Sequence, residues 1–95
     1  MFDYTGQIVQ ATAGRDKDGI FCVVGVDQER TRLLLADGKR RKVTPPKQNK
    51  LGHVQALTDY VYDHPVVHSL QQGEPVSDRA LRRALAAFKE GSTLG

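Results

Sequence analysis

The strongest constraint on the fold is a short apolar run that reads IFCVVGV and spans residues 20–26. Gly19 and Asp27 bound the run, which is too short for a helix and is rich in valine. It therefore predicts a well-buried β-strand. Gly25 within the run predicts a bulge or a sharp bend. A buried strand of this kind needs neighbouring strands, so the rest of the chain must supply them.

Further strand-like segments lie on both sides of this run and are separated by turn residues, at 7–13, 31–36, 39–43 and 52–57. Asp37-Gly38 predicts a two-residue type I′ turn that leads into the segment 39–43. Pro45 and Pro46 lack the N–H groups of a central strand and predict an exit or an edge. The pattern predicts a mainly β fold in residues 1–58, an antiparallel barrel of about five strands that closes on itself to avoid exposed edges.

The periodicity becomes helical after Leu57, which predicts a C-terminal helical extension over residues 59–95, packed on or beside the barrel. A short helix is expected within 63–73, followed by a longer one that Ser77 caps and Gly91 ends. The longer helix carries one apolar stripe, formed by Leu81, Ala84, Leu85 and Phe88. The stripe is expected to cover an open side of the barrel, and the alternative is a helix that binds a partner.

The charge of the 95-residue chain is unevenly distributed. Residues 1–50 hold ten Lys or Arg against six Asp or Glu, whereas residues 51–95 hold four against five. One stretch contains six cations and no acid: Lys39, Arg40, Arg41, Lys42, Lys47 and Lys50. Such a cluster attracts a polyanion, and nucleic acid is the leading partner class. The alternative is a solvated basic face that serves solubility.

The loop Ala13-Gly14-Arg15-Asp16-Lys17-Asp18-Gly19 lies between two predicted strands. It lacks the terminal Lys-Ser or Lys-Thr and the following helix of a nucleotide-binding loop. It is therefore predicted to be a strand connection that directs Arg15 and Lys17 towards the same end of the barrel as residues 39–42. The alternative is an ordinary charged turn.

No catalytic, metal or cofactor site is predicted. Cys22 lies in the apolar run, and the carboxylates of the N-terminal half fall at turns. His64 and His68 have a spacing that could share a metal, but Pro65 interrupts the turn and further ligands are lacking. No segment resembles a signal peptide or a membrane span, so a cytoplasmic location is expected.

Several of these segments together resemble the KOW-motif family. They read GQIV at 6–9, AGRDK at 13–17, FCVV at 21–24, ADGKRRKV at 36–43 and Pro46-Lys47. Within the family, the sequence looks most like the small bacterial RNA-binding proteins related to the fourteen-e large-subunit ribosomal protein. The resemblance covers about Tyr4 to His53, and one departure is that Asp18 stands where the family usually carries glycine.

The resemblance implies an SH3-like barrel that binds RNA, typically ribosomal RNA, without catalysis. It assigns Arg15 and Lys17 to the KOW loop and the cations at 39–42 to a basic hairpin, with Lys47 and Lys50 extending the RNA-binding set. The expected partners are RNA and, beside it, ribosomal or translation proteins, with a monomer when free. The alternative function is a protein-interaction adaptor of the transcription or translation machinery, because SH3-like barrels also bind peptides.

Overall fold

Five antiparallel strands form one sheet in the computed structural model, which describes residues 4–58 and 62–94. The strands follow the chain as β1 (Ile8–Ala11), β2 (Ile20–Asp27), β3 (Arg32–Ala36), β4 (Lys47–Lys50) and β5 (Val54–Ala56). Their order across the sheet is β4-β3-β2-β1-β5, with β2 in the centre. The mainly β character predicted from the sequence is confirmed, and so is the buried strand predicted from the apolar run.

Both faces of the sheet bury apolar side chains, because side chains alternate along each strand. Ile8, Cys22 and Ala36 lie on one face, where they form a core cluster with residues of the two helices. The opposite face holds a second buried cluster: Val9, Ala11, Phe21, Val23, Leu33 and Leu35. The predicted irregularity at Gly25 is confirmed, since the register with β3 shifts between Val23 and Gly25.

The sheet curls around the second cluster. A single 3₁₀ turn, Leu51–His53, is all that joins the outer strands β4 and β5. The step from Lys50 to Val54 spans at most about 14 Å of chain, whereas the outer strands of a flat five-stranded sheet lie about 19 Å apart. The two edges must therefore approach each other. The described part of the chain shows no ladder between them, so the predicted closure of the barrel is not observed.

The predicted strand at 39–43 and its type I′ turn are wrong. Residues 37–46 form an irregular connection, and the fourth strand begins only at Lys47. Asp37 explains the difference, because its Oδ1 accepts hydrogen bonds from the backbone N–H groups of Lys39 and Arg41, both at 2.9 Å. A side chain that binds the local backbone in this way competes with ladder formation.

Two helices follow the sheet, α1 (Pro65–Gln71) and α2 (Asp78–Leu94). The predicted cap of α2 is confirmed, since Ser77 Oγ accepts a hydrogen bond from the N–H of Ala80 at 3.1 Å. The predicted end at Gly91 is wrong, because a glycine inside a helix costs only about 1 kcal/mol and no proline follows it. Residues 59–61, where the predicted domain boundary falls, lie outside the described residues.

The predicted apolar stripe of α2 packs on the sheet. Leu81, Ala84 and Leu85 are buried, and Leu81 and Leu85 join the cluster around Ile8, with Phe88 packed against it. The helix thus completes the core on one face of the sheet. No helix in the described residues is long and apolar enough to cross a membrane.

Candidate nucleic-acid interface

A buried carboxylate connects the two basic segments of the sequence. Asp16, in the β1–β2 loop, is only 5% exposed. Its Oδ2 accepts hydrogen bonds from Arg41 Nη2 at 2.6 Å and from Arg41 Nε at 3.0 Å. Lys47 Nζ lies 2.9 Å from the same oxygen. One aspartate therefore holds the loop after β3 and the start of β4 against the β1–β2 loop.

The electrostatics of this ion-pair cluster favour the charged form of Asp16. The hydrogen bond from Arg41 lowers the pKa of the Asp16 carboxyl below its ordinary value, and burial opposes this shift. Lys47 lowers the same pKa further. Asp16 is therefore ionised at neutral pH, and the cluster of Asp16, Arg41 and Lys47 keeps a net charge of +1.

The backbone of the β1–β2 loop turns sharply and places Asp16 inward. The N–H of Lys17 donates to the backbone carbonyl of Gly14 at 3.2 Å, and the N–H of Gly19 donates to the backbone carbonyl of Asp16 at 2.8 Å. Asp18 has φ +72°, the left-handed conformation that glycine adopts most easily. Asp18 thus adopts a backbone conformation typical of glycine, and its exposed carboxylate adds a negative charge beside Lys17.

The loop of residues 37–43, called the basic loop below, is fixed to the start of α2. The N–H of Val43 donates to Asp78 Oδ1 at 2.7 Å. Gly38 has φ +78° and lies so close to the helix that an added Cβ would overlap the carbonyl oxygen of Asp78. The basic loop is therefore held by Asp16 on one side and by α2 on the other.

The eight predicted RNA-binding residues fall into three groups. Five are exposed cations on the two connected segments: Arg15, Lys17, Lys39, Arg40 and Lys42. In the described part of the chain, none of these five side chains pairs with a carboxylate.

Arg41 and Lys47 form the second group, because their charged ends bind Asp16. The third group is Lys50 alone. It is the cross-strand neighbour of Arg32 and lies on the opposite face of β4 from Lys47. The structure therefore joins the two predicted basic segments at one end of the sheet but leaves Lys50 apart from them.

Sequence reasoning missed three aspartates that organise this end of the molecule: Asp16, Asp37 and Asp78. The first two were interpreted as ordinary turn residues. The available signal was the position of Asp16, between Arg15 and Lys17, and of Asp37, two residues before Lys39. The third, Asp78, gave no signal for its bond to Val43, because the helix dipole alone favours an acid in the first turn of a helix.

The side chains of Cys22, His64 and His68 are buried or hydrogen-bonded to nearby residues. Burial raises the pKa of the Cys22 thiol to about 12, so it is neutral at physiological pH. His64 Nδ1 accepts the N–H of Val66 at the start of α1, and His68 Nε2 lies 3.0 Å from Asp63 Oδ1. Within the residues that the structure describes, no three His, Cys, Asp or Glu side chains cluster as metal ligands would.

Comparisons of the chain with protein-family models and with curated proteins find no match. The resemblance to the KOW family stays a prediction that depends on the quoted segments.

Proposed function

We propose that the protein is a non-catalytic RNA-binding module of the KOW type. The observation that carries this proposal is the gathering of Arg15, Lys17, Lys39, Arg40 and Lys42 around the buried ion pair of Asp16. Exposed charges separated by less than the Debye length, about 8 Å at physiological salt, act together. Five such cations on one end of a small domain form an electrostatic footprint for a polyanion.

The fold supports the same proposal. The strand order, the 3₁₀ turn between β4 and β5 and the buried cluster inside the curled sheet are the features expected of an SH3-like barrel with incomplete closure. In that fold the β1–β2 loop and the loop after β3 would form the RNA-binding end. Phosphate charge alone does not distinguish RNA from DNA, and the choice of RNA comes from the resemblance in sequence.

The ion pair gives this surface a fixed shape. Arg41 and Lys47 hold the loops in place by binding Asp16, while the exposed cations around them remain free to contact phosphates. A surface that is already ordered loses less conformational entropy on binding than a flexible basic tail does. The proposal therefore assigns a positioning role to Arg41 and contact roles to Lys39 and Arg40.

Reversing two contact charges tests the proposal. We expect Lys39→Glu with Arg40→Glu to weaken binding to fragmented ribosomal RNA by about tenfold or more, and to reduce the slope of log affinity against log salt by about 2. Fluorescence anisotropy with labelled RNA at several salt concentrations measures both quantities. Both side chains are exposed, so thermal unfolding should change little.

The matched control for this experiment is Arg83→Glu, a charge reversal at an exposed position of α2. We expect it to change RNA affinity by less than the loop variant does. Equal binding by the wild type and the Lys39/Arg40 variant would show that the basic loop is not the RNA site. A protein partner that is retained from a nuclease-treated lysate and lost from the same variant would support the adaptor function instead.

Asp18→Asn tests whether the negative charge of Asp18, which stands where the KOW motif usually carries glycine, weakens RNA binding. Asparagine tolerates positive φ, so this change removes the charge beside Lys17 and keeps the backbone of the loop. A unit charge at about 8 Å in water contributes about 0.5 kcal/mol, and we expect RNA affinity to rise about twofold. An unchanged affinity in the anisotropy assay would place Lys17 outside the contact surface.

A further inference from the structure

A groove beside the basic loop brings α2 into the candidate interface. It has a volume of about 300 Å³ and lies between the basic loop and the helix. Its lining residues are Asp37, Lys39, Arg82, Leu85, Ala86 and Lys89. Three of the six are cations, and they come from both walls of the groove.

Helical spacing explains why these side chains of α2 face the loop. Leu81 and Leu85 point into the core, so Arg82, one position after Leu81, lies about 100° around the helix from it. The hydrogen bond from the Val43 N–H to Asp78 places the basic loop on the same flank of the helix as Arg82. Gly38 approaches the backbone N of Arg82 on this flank. Arg83 lies a further 100° around the helix, away from this flank.

Asp37, which lines the groove, and Asp78, at the start of α2, are engaged by backbone N–H groups. Asp37 Oδ1 accepts from two N–H groups of the basic loop, and Asp78 Oδ1 accepts from Val43. Asp78 also lies in the first turn of α2, where the helix dipole favours a negative charge. Hydrogen bonding therefore offsets part of the repulsion that these carboxylates would exert on a phosphate.

Arg82 is the cation of α2 that carries the inference. It is exposed, it lines the groove opposite Lys39, and no ion pair involves it in the described part of the chain. Lys89 lies in the same groove but is engaged in an interaction of its own.

We infer that the RNA surface continues from the basic loop across this groove onto α2, with Arg82 binding a backbone phosphate. The inference rests on the proposed function and extends it, because α2 then serves as part of the interface as well as part of the core. The ligand class is a polynucleotide whose consecutive phosphates pass from Lys39 to Arg82. Arginine suits this role, since its planar guanidinium binds phosphate oxygens through two parallel hydrogen bonds.

The test compares Arg82→Gln with Arg83→Gln. The two substitutions make the same chemical change at adjacent exposed positions of one helix, and only the first lies in the groove. We expect Arg82→Gln to weaken binding to fragmented ribosomal RNA by about threefold to tenfold and to lower the salt slope by about 0.7 to 0.9, the value for one phosphate. Arg83→Gln should change affinity by less than about twofold, because a charge away from the contact surface adds little.

The outcomes separate this inference from the proposed function. If Lys39→Glu with Arg40→Glu weakens binding while Arg82→Gln and Arg83→Gln behave alike, the basic loop binds RNA and the extension onto α2 is wrong. If the wild type binds no RNA, the proposed function fails first. Excess mononucleotide that displaces RNA in an Arg82-dependent way would identify the groove as a nucleotide pocket and overturn the extended surface.

Discussion

Replacing Gly38 with alanine is expected to destabilise the protein by about 2–4 kcal/mol, the range typical of a strained backbone combined with a steric clash. Gly38 has φ +78°, and a Cβ added to it would overlap the carbonyl oxygen of Asp78. A side chain there must either distort the loop or push it away from α2. The second response would also break the hydrogen bond between the Val43 N–H and Asp78 Oδ1. Urea-induced unfolding measures the loss.

Gly14→Ala is the matched control. Gly14 has φ +85°, close to that of Gly38, but an added Cβ there meets no atom within 4 Å. It therefore reports the cost of a left-handed alanine alone, about 1–2 kcal/mol. If Gly38→Ala costs no more than Gly14→Ala, the close approach of the basic loop to α2 does not hold in solution.

Replacing Asp16 with asparagine is expected to cost about 1–3 kcal/mol, the range for a buried hydrogen-bonded group that loses its charge. The substitution leaves Arg41 and Lys47 close together without an anion between them. The cost stays below that of a fully buried pair because the Arg41 and Lys47 side chains are 34% and 27% exposed. Loosening of both loops should also weaken RNA binding, although no direct contact is removed.

The dependence of stability on pH identifies the role of Asp16. Arg41 holds the folded-state pKa of this carboxyl below its ordinary value of 3.8. A carboxyl whose pKa is lower in the folded state stabilises the protein at pH values above its unfolded-state pKa. This stabilisation is lost as the pH falls through the folded-state pKa. Wild-type stability should therefore decrease in the acid range below about pH 4, and Asp16→Asn should flatten that decrease.

Asp18→Asn provides the comparison for the acid range, because it removes an exposed carboxylate from the same loop. It should leave the decrease of stability with acid nearly unchanged. An equal effect of the two substitutions would show that the Asp16 ion pair contributes no special stability. The measurement is the free energy of unfolding at a series of pH values.

The elements that the sequence predicted correctly are those set by local chemistry. The apolar run around Cys22 could only be a buried strand, and the shift at Gly25 follows from a glycine within it. Ser77 marked the start of α2 through capping. Each of these signals lies within a few residues of the structure that it determines.

The ion pair between Asp16 and Arg41 could not be predicted in this way, since it joins residues 25 positions apart through the curvature of the sheet. The basic loop was misassigned because Asp37-Gly38 also suits a hairpin. The outcome depended on the Asp37 carboxylate binding two N–H groups and on α2 lying beside Gly38. Predicting that contact requires knowing where the C-terminal helix packs.

The buried thiol makes this protein convenient for fluorescence work. Cys22 is the one cysteine in the sequence, is 1% exposed and has a pKa of about 12. Maleimide dyes react with exposed thiolates, so the native chain should remain unlabelled under mild conditions. A cysteine introduced at Arg83 would then carry the only dye, on the flank of α2 away from the groove. Distances from that dye to a labelled RNA end could follow binding without modification of the loops.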